Sequence, residues 1–138
     1  MKRWLVGILA VSLIWPWPAI ALDLQGLYEQ ALNASRSGDF VQALPLWDRV
    51  LEQSPQDAAA LSNRGNVRLA LGDLDGAIED QTLSIALAPE EADPHLNRGT
   101  AEEALQDWPA AAADYLWILE RQPDDCLLYT SDAADEED

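Results

Sequence analysis

The chain repeats itself every 34 residues, and no other feature of its sequence restricts the fold so tightly. Pro55, Pro89 and Pro123 share one column, Asp39, Asp73 and Asp107 a second, and Ala43, Ala77 and Ala111 a third. A bulky apolar column holds Phe40, Leu74 and Trp108; another holds Trp47 and Tyr115 and is broken by Gln81. Asn63-Arg64-Gly65 returns as Asn97-Arg98-Gly99, and Gly38 and Gly72 match while Gln106 is the exception. Recurrence at a fixed period of this size marks stacked supersecondary units. Each unit cannot bury its apolar face alone, and about three are needed for stability.

Each unit reads as two helices. The first helices are expected over 24–37, 58–71 and 92–105, and the second over 40–53, 74–87 and 108–121. Gly38 and Gly72 can adopt the left-handed conformation that closes the first helix. Asp39, Asp73 and Asp107 then offer a carboxylate to the free amides at the start of the second, where the helix dipole also favours an anion. Pro55, Pro89 and Pro123 end that helix. Pro94 and Pro109 fall in first turns, but Pro45 sits inside a second helix and should remove one backbone hydrogen bond. Ala43, Ala77 and Ala111 on one helix, with Gly65 and Gly99 on its partner, predict close approach, with Leu51, Ile85 and Leu119 filling the seam beneath. Arg64 and Asp80 are sixteen apart, as are Arg98 and Asp114, while the first unit has Gln30 and Leu46 instead. This joint presence and absence predicts an ion pair within each unit, read as exposed and contributing about 0–1 kcal/mol.

The Gly-Asp-bulky-x-x-Ala turn, the closing Pro and the spacing together resemble the tetratricopeptide repeat family, over about Leu24 to Asp125. The resemblance implies an all-α right-handed solenoid of three helix-turn-helix units (24–57, 58–91 and 92–125). Its concave face would be lined by the first helices and would bind a peptide or partner protein. Residues implied to face that groove are Asn63, Asn66 and Asn97, with Tyr28, Ser62 and Thr100, and Leu32 and Leu96 beside them. An Asn amide both donates and accepts, so it can hold a partner's backbone without reading its side chains. Some members hold a carboxylate with groove Lys and Arg; here Tyr28, Ser62 and Leu96 occupy one such column and Ala59 and Asp93 another, so acidic-tailed partners fit poorly.

The ends read differently. Lys2 and Arg3, the apolar run Trp4–Trp15, Pro16 and Pro18, and Ala19-Ile20-Ala21 make an export signal over 1–21, with an N-terminal anchor as the competing reading. The run is shorter than the roughly 20 residues that span a bilayer. Pro16 and Pro18 are expected to break any helix there. Residues 126–138 fit no repeat column and resemble translated sequencing-adapter read-through, the other reading being an acidic disordered tail. If the array is cut there, Tyr115, Leu116, Ile118 and Leu119 would be left partly uncovered, a possible seat for self-association.

Composition narrows the function. Twenty-five Asp and Glu against eight Lys and Arg give a net charge of −17. That balance excludes nucleic-acid partners and anionic membrane surfaces, both of which require basic patches. With one Cys and one His, no zinc cluster or internal disulfide is available, and no Cys–His dyad is expected. Asp73-Leu74-Asp75-Gly76 has its glycine too early for a calcium loop and reads as a helix cap. His95 reads as structural or surface, and Glu90-Glu91 and Glu102-Glu103 as a solvated face. No catalytic residue, metal site or cofactor is expected. The sequence thus points to a non-catalytic exported interaction module, in the periplasm or, in a photosynthetic bacterium, the thylakoid lumen, with a neutral or basic polypeptide partner. The alternative is the N-terminal accessory part of a longer enzyme or secretion component.

Overall fold

Left-handed residues punctuate the chain at the expected interval: Gly38 has φ 77°, Gly72 82° and Gln106 63°. Each closes a helix in the same way. The amide three residues beyond the helix reaches back, Asp39 to Ala34 O at 3.0 Å, Asp73 to Arg68 O at 2.9 Å and Asp107 to Glu102 O at 2.9 Å. The aspartates then start the following helix, with Oδ1 accepting from Gln42 N at 3.1 Å, Gly76 N at 3.1 Å and Ala110 N at 3.3 Å. Asp57 does the same for Ala60 N at 2.9 Å.

The computed structural model describes residues 17–121, all helix and turn. In order they are α1 (Trp17–Arg36), α2 (Phe40–Gln53), α3 (Ala58–Ala70), α4 (Leu74–Leu87), α5 (Ala92–Ala104) and α6 (Trp108–Arg121). α2 and α4 have the expected bounds, α6 begins at the expected Trp108 and is helical to the last described residue, and α3 and α5 end within a residue of the expected positions. α1 differs: it starts at Trp17, seven residues ahead of Leu24, and runs through Pro18. Pro18 lies within the described helix, where a break was expected; Trp17 is the first described residue. Pro45 lies inside α2, on its exposed side, and the helix continues past it. The export-signal residues 1–16 and the tail 126–138 lie outside the described residues.

Each helix packs on the next, and α3 also touches α1 and α5, whereas α2 and α4, or α4 and α6, do not meet. First helices are therefore close together on the inside and second helices are splayed on the outside, which curves the stack and makes a solenoid of nested hairpins. The close approach rests on small residues. Ala43, Ala77 and Ala111 are at most 2% exposed. A Cβ on Gly65 would stand 2.6 Å from Gln81 Nε2, and one on Gly99 2.8 Å from Tyr115 Cε1. Of the seam residues Leu51 is buried, Ile85 is half-buried and Leu119 is exposed.

The apolar core is concentrated at the start of the stack, in Leu27, Ala31, Trp47, Val50, Leu61 and Val67. Trp47 is sealed there, donating Nε1–H to Ser35 Oγ at 2.9 Å, with Tyr28 edge-on to its ring. Further along, the buried positions turn polar: Asp80, Gln81, Ser84, His95 and Asp114. Gln81 takes the place of Trp47 and is accommodated because its amide donates to Ser62 O at 3.0 Å and to Asn66 Oδ1 at 3.2 Å.

The intra-unit ion pairs form, but they are not exposed. Arg64 grips Asp80 with two bonds, Nε to Oδ2 at 2.8 Å and Nη2 to Oδ1 at 2.7 Å; Arg98 does the same to Asp114 at 2.7 Å twice. Asp80 is 0% and Asp114 3% exposed. The carboxylates point between the two helices of the unit, which buries them where the sequence suggested a surface pair. Arg64 Nη1 also reaches Asp48 Oδ1 at 2.9 Å and Arg98 Nη1 reaches Thr82 Oγ1 at 3.1 Å. Each arginine therefore ties its own hairpin together and binds it to the second helix of the preceding one.

Candidate functional site

The inner face carries a cleft of about 550 Å³ where α3, the end of α4 and the start of α5 meet. Its floor is small and apolar or hydroxylic, from Ala58, Ala59, Ser62, Ser84 and Ala88. Asn63 and Asn66 form one wall and Asn97 with Pro94 the other, and Glu91 and Asp93 stand at the rim. Within this lining Ser84 donates its hydroxyl to Ala58 O at 2.8 Å, joining α4 to α3. Asn63 and Asn66 also border the next recess, of about 270 Å³, with Leu32, Ser35, Arg36, Phe40 and Val67. The two asparagines are thus a ridge between neighbouring hollows.

Four of the residues singled out from the sequence, Ser62, Asn63, Asn66 and Asn97, meet in the main cleft. Tyr28 does not; it lines a separate recess with Leu24, Gln25, Glu29 and Asp57. Burial and the Asp57 charge push its hydroxyl pKa up, against a hydrogen bond to Asn63. Thr100 is outside these hollows, its hydroxyl donating to Leu96 O at 2.8 Å. The asparagines are partly committed already. Asn63 Nδ2 donates to Ala59 O at 2.9 Å, and Asn66 Oδ1 accepts from Gln81. Arg36 is the residue that the sequence pattern missed. Its column holds Ala70 and Ala104, so no recurrence draws attention to it, yet it brings a cation to the first-repeat end of the groove while Glu91 and Asp93 hold the other end negative.

Behind the groove, the third hairpin has its own polar cluster. His95 is 5% exposed, places Nδ1 2.7 Å from Asp114 Oδ1 and stacks on Trp117 at 3.8 Å. Burial pushes the Asp114 carboxyl up, but the bonds and charges of Arg98 and His95 outweigh it and hold it below the usual carboxylate value. Glu102 goes the other way: burial and the Asp114 charge raise it, and Arg98 offsets them only in part.

A sequence model of the tetratricopeptide repeat matches residues 28–95. The chain belongs to the tetratricopeptide repeat family. Human mitochondrial import receptor subunit TOM34 is 33% identical over 93 residues, a stretch that covers 62% of this chain and 30% of that protein. The chain thus spans under a third of that relative's length. Among solved structures, MamA 41-end from Desulfovibrio magneticus RS-1 superposes with a TM-score of 0.69 at 25% identity, covering 73% of this chain and 58% of that one. The first tetratricopeptide domain of Spaghetti (RPAP3), solved bound to the HSP90 peptide SRMEEVD, superposes with a TM-score of 0.70 at 24% identity, covering 82% of this chain and 94% of that one. These likenesses bear on the fold, and within it the asparagine cleft lies on the inner face of the first helices.

Proposed function

We propose that this tetratricopeptide protein is a non-catalytic interaction module that holds an extended polypeptide along the inner face of α1, α3 and α5. The observation that carries the reading is the cleft itself: a small-residue floor that admits a main chain, flanked on both sides by asparagine amides that can bond peptide groups. The partner is neutral or basic at the α5 end. An acidic peptide such as the SRMEEVD bound by the Spaghetti domain would meet Glu91 and Asp93 there, with no cation among the lining residues to receive it. The protein works outside the cytoplasm, in the periplasm or thylakoid lumen, on the strength of the signal-like residues 1–21; cell fractionation finding it in the cytoplasm would remove that part of the proposal.

Peptides selected from a random display library on the full chain provide the test. Asn63→Ala/Asn97→Ala should weaken them at least tenfold, the equivalent of about 1.4 kcal/mol, with an unchanged Tm. Equal binding by the double variant would overturn the proposed clamp. A second reading, in which the repeats are the N-terminal accessory region of a longer enzyme or secretion component, is favoured by the outer face of α6, where Leu116 is 56% and Leu119 40% exposed. The same face would serve self-association. The complete reading frame beyond codon 125 separates the two: a downstream catalytic domain supports the accessory region, and an early stop removes it.

A further inference from the structure

Arg64, Arg68, Arg98 and Arg121 each approach a carboxylate, whereas Arg36 and Arg49 join no ion pair among the described residues. Arg49 is exposed on α2, a second helix. Arg36 is exposed as the last residue of α1 and lines the smaller recess of the groove. Asp39, the nearest acid along the chain, has its Oδ1 occupied by Gln42 N at 3.1 Å. A cation in a last turn also suits the helix dipole, but that role needs no recess. Here Leu32, Phe40 and Val67 wall the recess. Ser35 beside them is already engaged, donating to Ala31 O and accepting from Trp47 Nε1, both at 2.9 Å. The hollow therefore suits an apolar side chain, with an unspent guanidinium in its lining and the Asn63–Asn66 ridge as its boundary.

Across that ridge the sign reverses. Glu91 and Asp93 rim the main cleft at the start of α5. Glu91 occupies the N-cap position without making a side-chain cap bond, and neither acid joins an ion pair among the described residues. The groove thus holds unspent charge of opposite sign on the two sides of one amide ridge. Their separation follows from the repeat frame. Asp93 matches Gln25, eleven residues before Arg36 in α1, and at 1.5 Å per residue that is an axial offset of about 16 Å. Two steps between neighbouring first helices, at about 8–10 Å each, give a lateral offset of about 18 Å. An extended chain at about 3.3 Å per residue crosses the resulting diagonal of about 24 Å in about seven residues.

We propose that the groove selects a dipolar polypeptide segment, with an acidic side chain beside an apolar one at Arg36 and a basic side chain about six to eight residues away at Glu91 and Asp93. This rests on the groove being the binding surface, and gives its occupant a charge order and a spacing. The apolar residue fills the Leu32, Phe40 and Val67 recess, the asparagine amides bond the main chain between the charges, and each charged end meets its opposite. Arg36 lies outside both columns in which some family members hold a carboxylate. The acid it receives is a side chain within the segment, next to the residue in the recess, and not the end of the chain.

The probes are peptides of about twelve residues selected from a random display library on the full chain, then synthesised with acetylated and amidated ends. Fluorescence anisotropy reads their Kd at low and high salt. The selected sequences should pair an Asp or Glu beside an aliphatic residue with a Lys or Arg about six to eight positions away. Arg36→Gln should weaken them by up to about fivefold, the upper value for an exposed charge pair. Arg36→Glu should weaken them by about tenfold or more, because attraction becomes repulsion. Changing the peptide's acid to Lys should restore binding to Arg36→Glu, and changing it to Ser should leave the peptide indifferent to both variants. These differences should shrink in about 1 M salt, where the screening length is about 3 Å. A cation serving only the helix dipole would instead lower Tm in Arg36→Gln and leave Kd unchanged. That result, selected peptides without the charge pair, or binding that requires a free C-terminal carboxylate would overturn the proposal. If such peptides still lose affinity in Asn63→Ala/Asn97→Ala, the groove reading stands without it; a chain that selects no peptide refutes both.

Discussion

Replacing Asp80 by Asn tests how the repeats hold together. The substitution keeps the volume and removes the charge from a residue that is 0% exposed and receives Arg64 at 2.8 and 2.7 Å and Arg68 at 3.1 Å. Breaking a buried ion pair by changing one partner costs about 3–5 kcal/mol, because the other charge is left uncompensated. Here the low end applies. Arg64 keeps Asp48 at 2.9 Å and its side chain is 18% exposed, and Arg68 keeps the Gly76 carbonyl at 3.1 Å. A loss of about 3 kcal/mol at about 4–8 °C per kcal/mol for a domain of this size lowers Tm by at least ~12 °C. Thermal unfolding followed by circular dichroism at 222 nm reads this directly. The control is Arg121→Gln, whose partner Glu90 is 4.0 Å away with both side chains exposed and which also lies over the Trp117 ring at 4.1 Å; it should change stability by no more than about 1 kcal/mol. Arg64→Met/Asp80→Leu should regain much of the loss, since well-packed apolar residues commonly replace a buried pair without penalty. A loss below about 1 kcal/mol in Asp80→Asn, the value for an exposed pair, would refute the buried-clamp reasoning.

Other substitutions probe the turns, the helix contact and the third hairpin. Gly65→Ala puts a methyl 2.6 Å from the Nε2 of a fully buried Gln81 that two hydrogen bonds hold in place, and should cost about 1–3 kcal/mol by denaturant unfolding. Gln106→Gly relieves a non-glycine residue at φ 63° where the other repeats have glycine, and should stabilise by up to about 1 kcal/mol. Glu102→Gln should stabilise at neutral pH, where the half-buried carboxylate is charged at a penalty. The gain should shrink as pH falls through the raised folded value, because Glu102 then becomes neutral by itself; paired melts at acid and neutral pH check it.

The sequence was most informative where one residue type performs the same backbone task three times. Asp39, Asp73 and Asp107 cap three helices, so the starts of all three second helices, and the ends of α2 and α4 from the prolines that follow, could be placed. Pairing of Arg64 with Asp80 was legible from covariation between repeats, but its burial was not. A 16-residue spacing brings two helices together without saying which way the side chains turn, and Asp is ordinarily a surface residue. The helical residues ahead of Leu24 were missed because Pro18 was read as a break, whereas the described helix runs through it. Within the groove, Asn63 and Asn97 repeat and could be found; Arg36 and His95 each occur once, replacing Ala or Leu in their columns, and recurrence is blind to such departures.

A backbone-amide NMR map of the full chain titrated with a display-selected peptide addresses the groove most directly. Perturbations should gather on α3 and α5, with the side-chain amides of Asn63 and Asn97 among the largest. Shifts confined to the outer faces of α2, α4 and α6 would contradict the inner-face account.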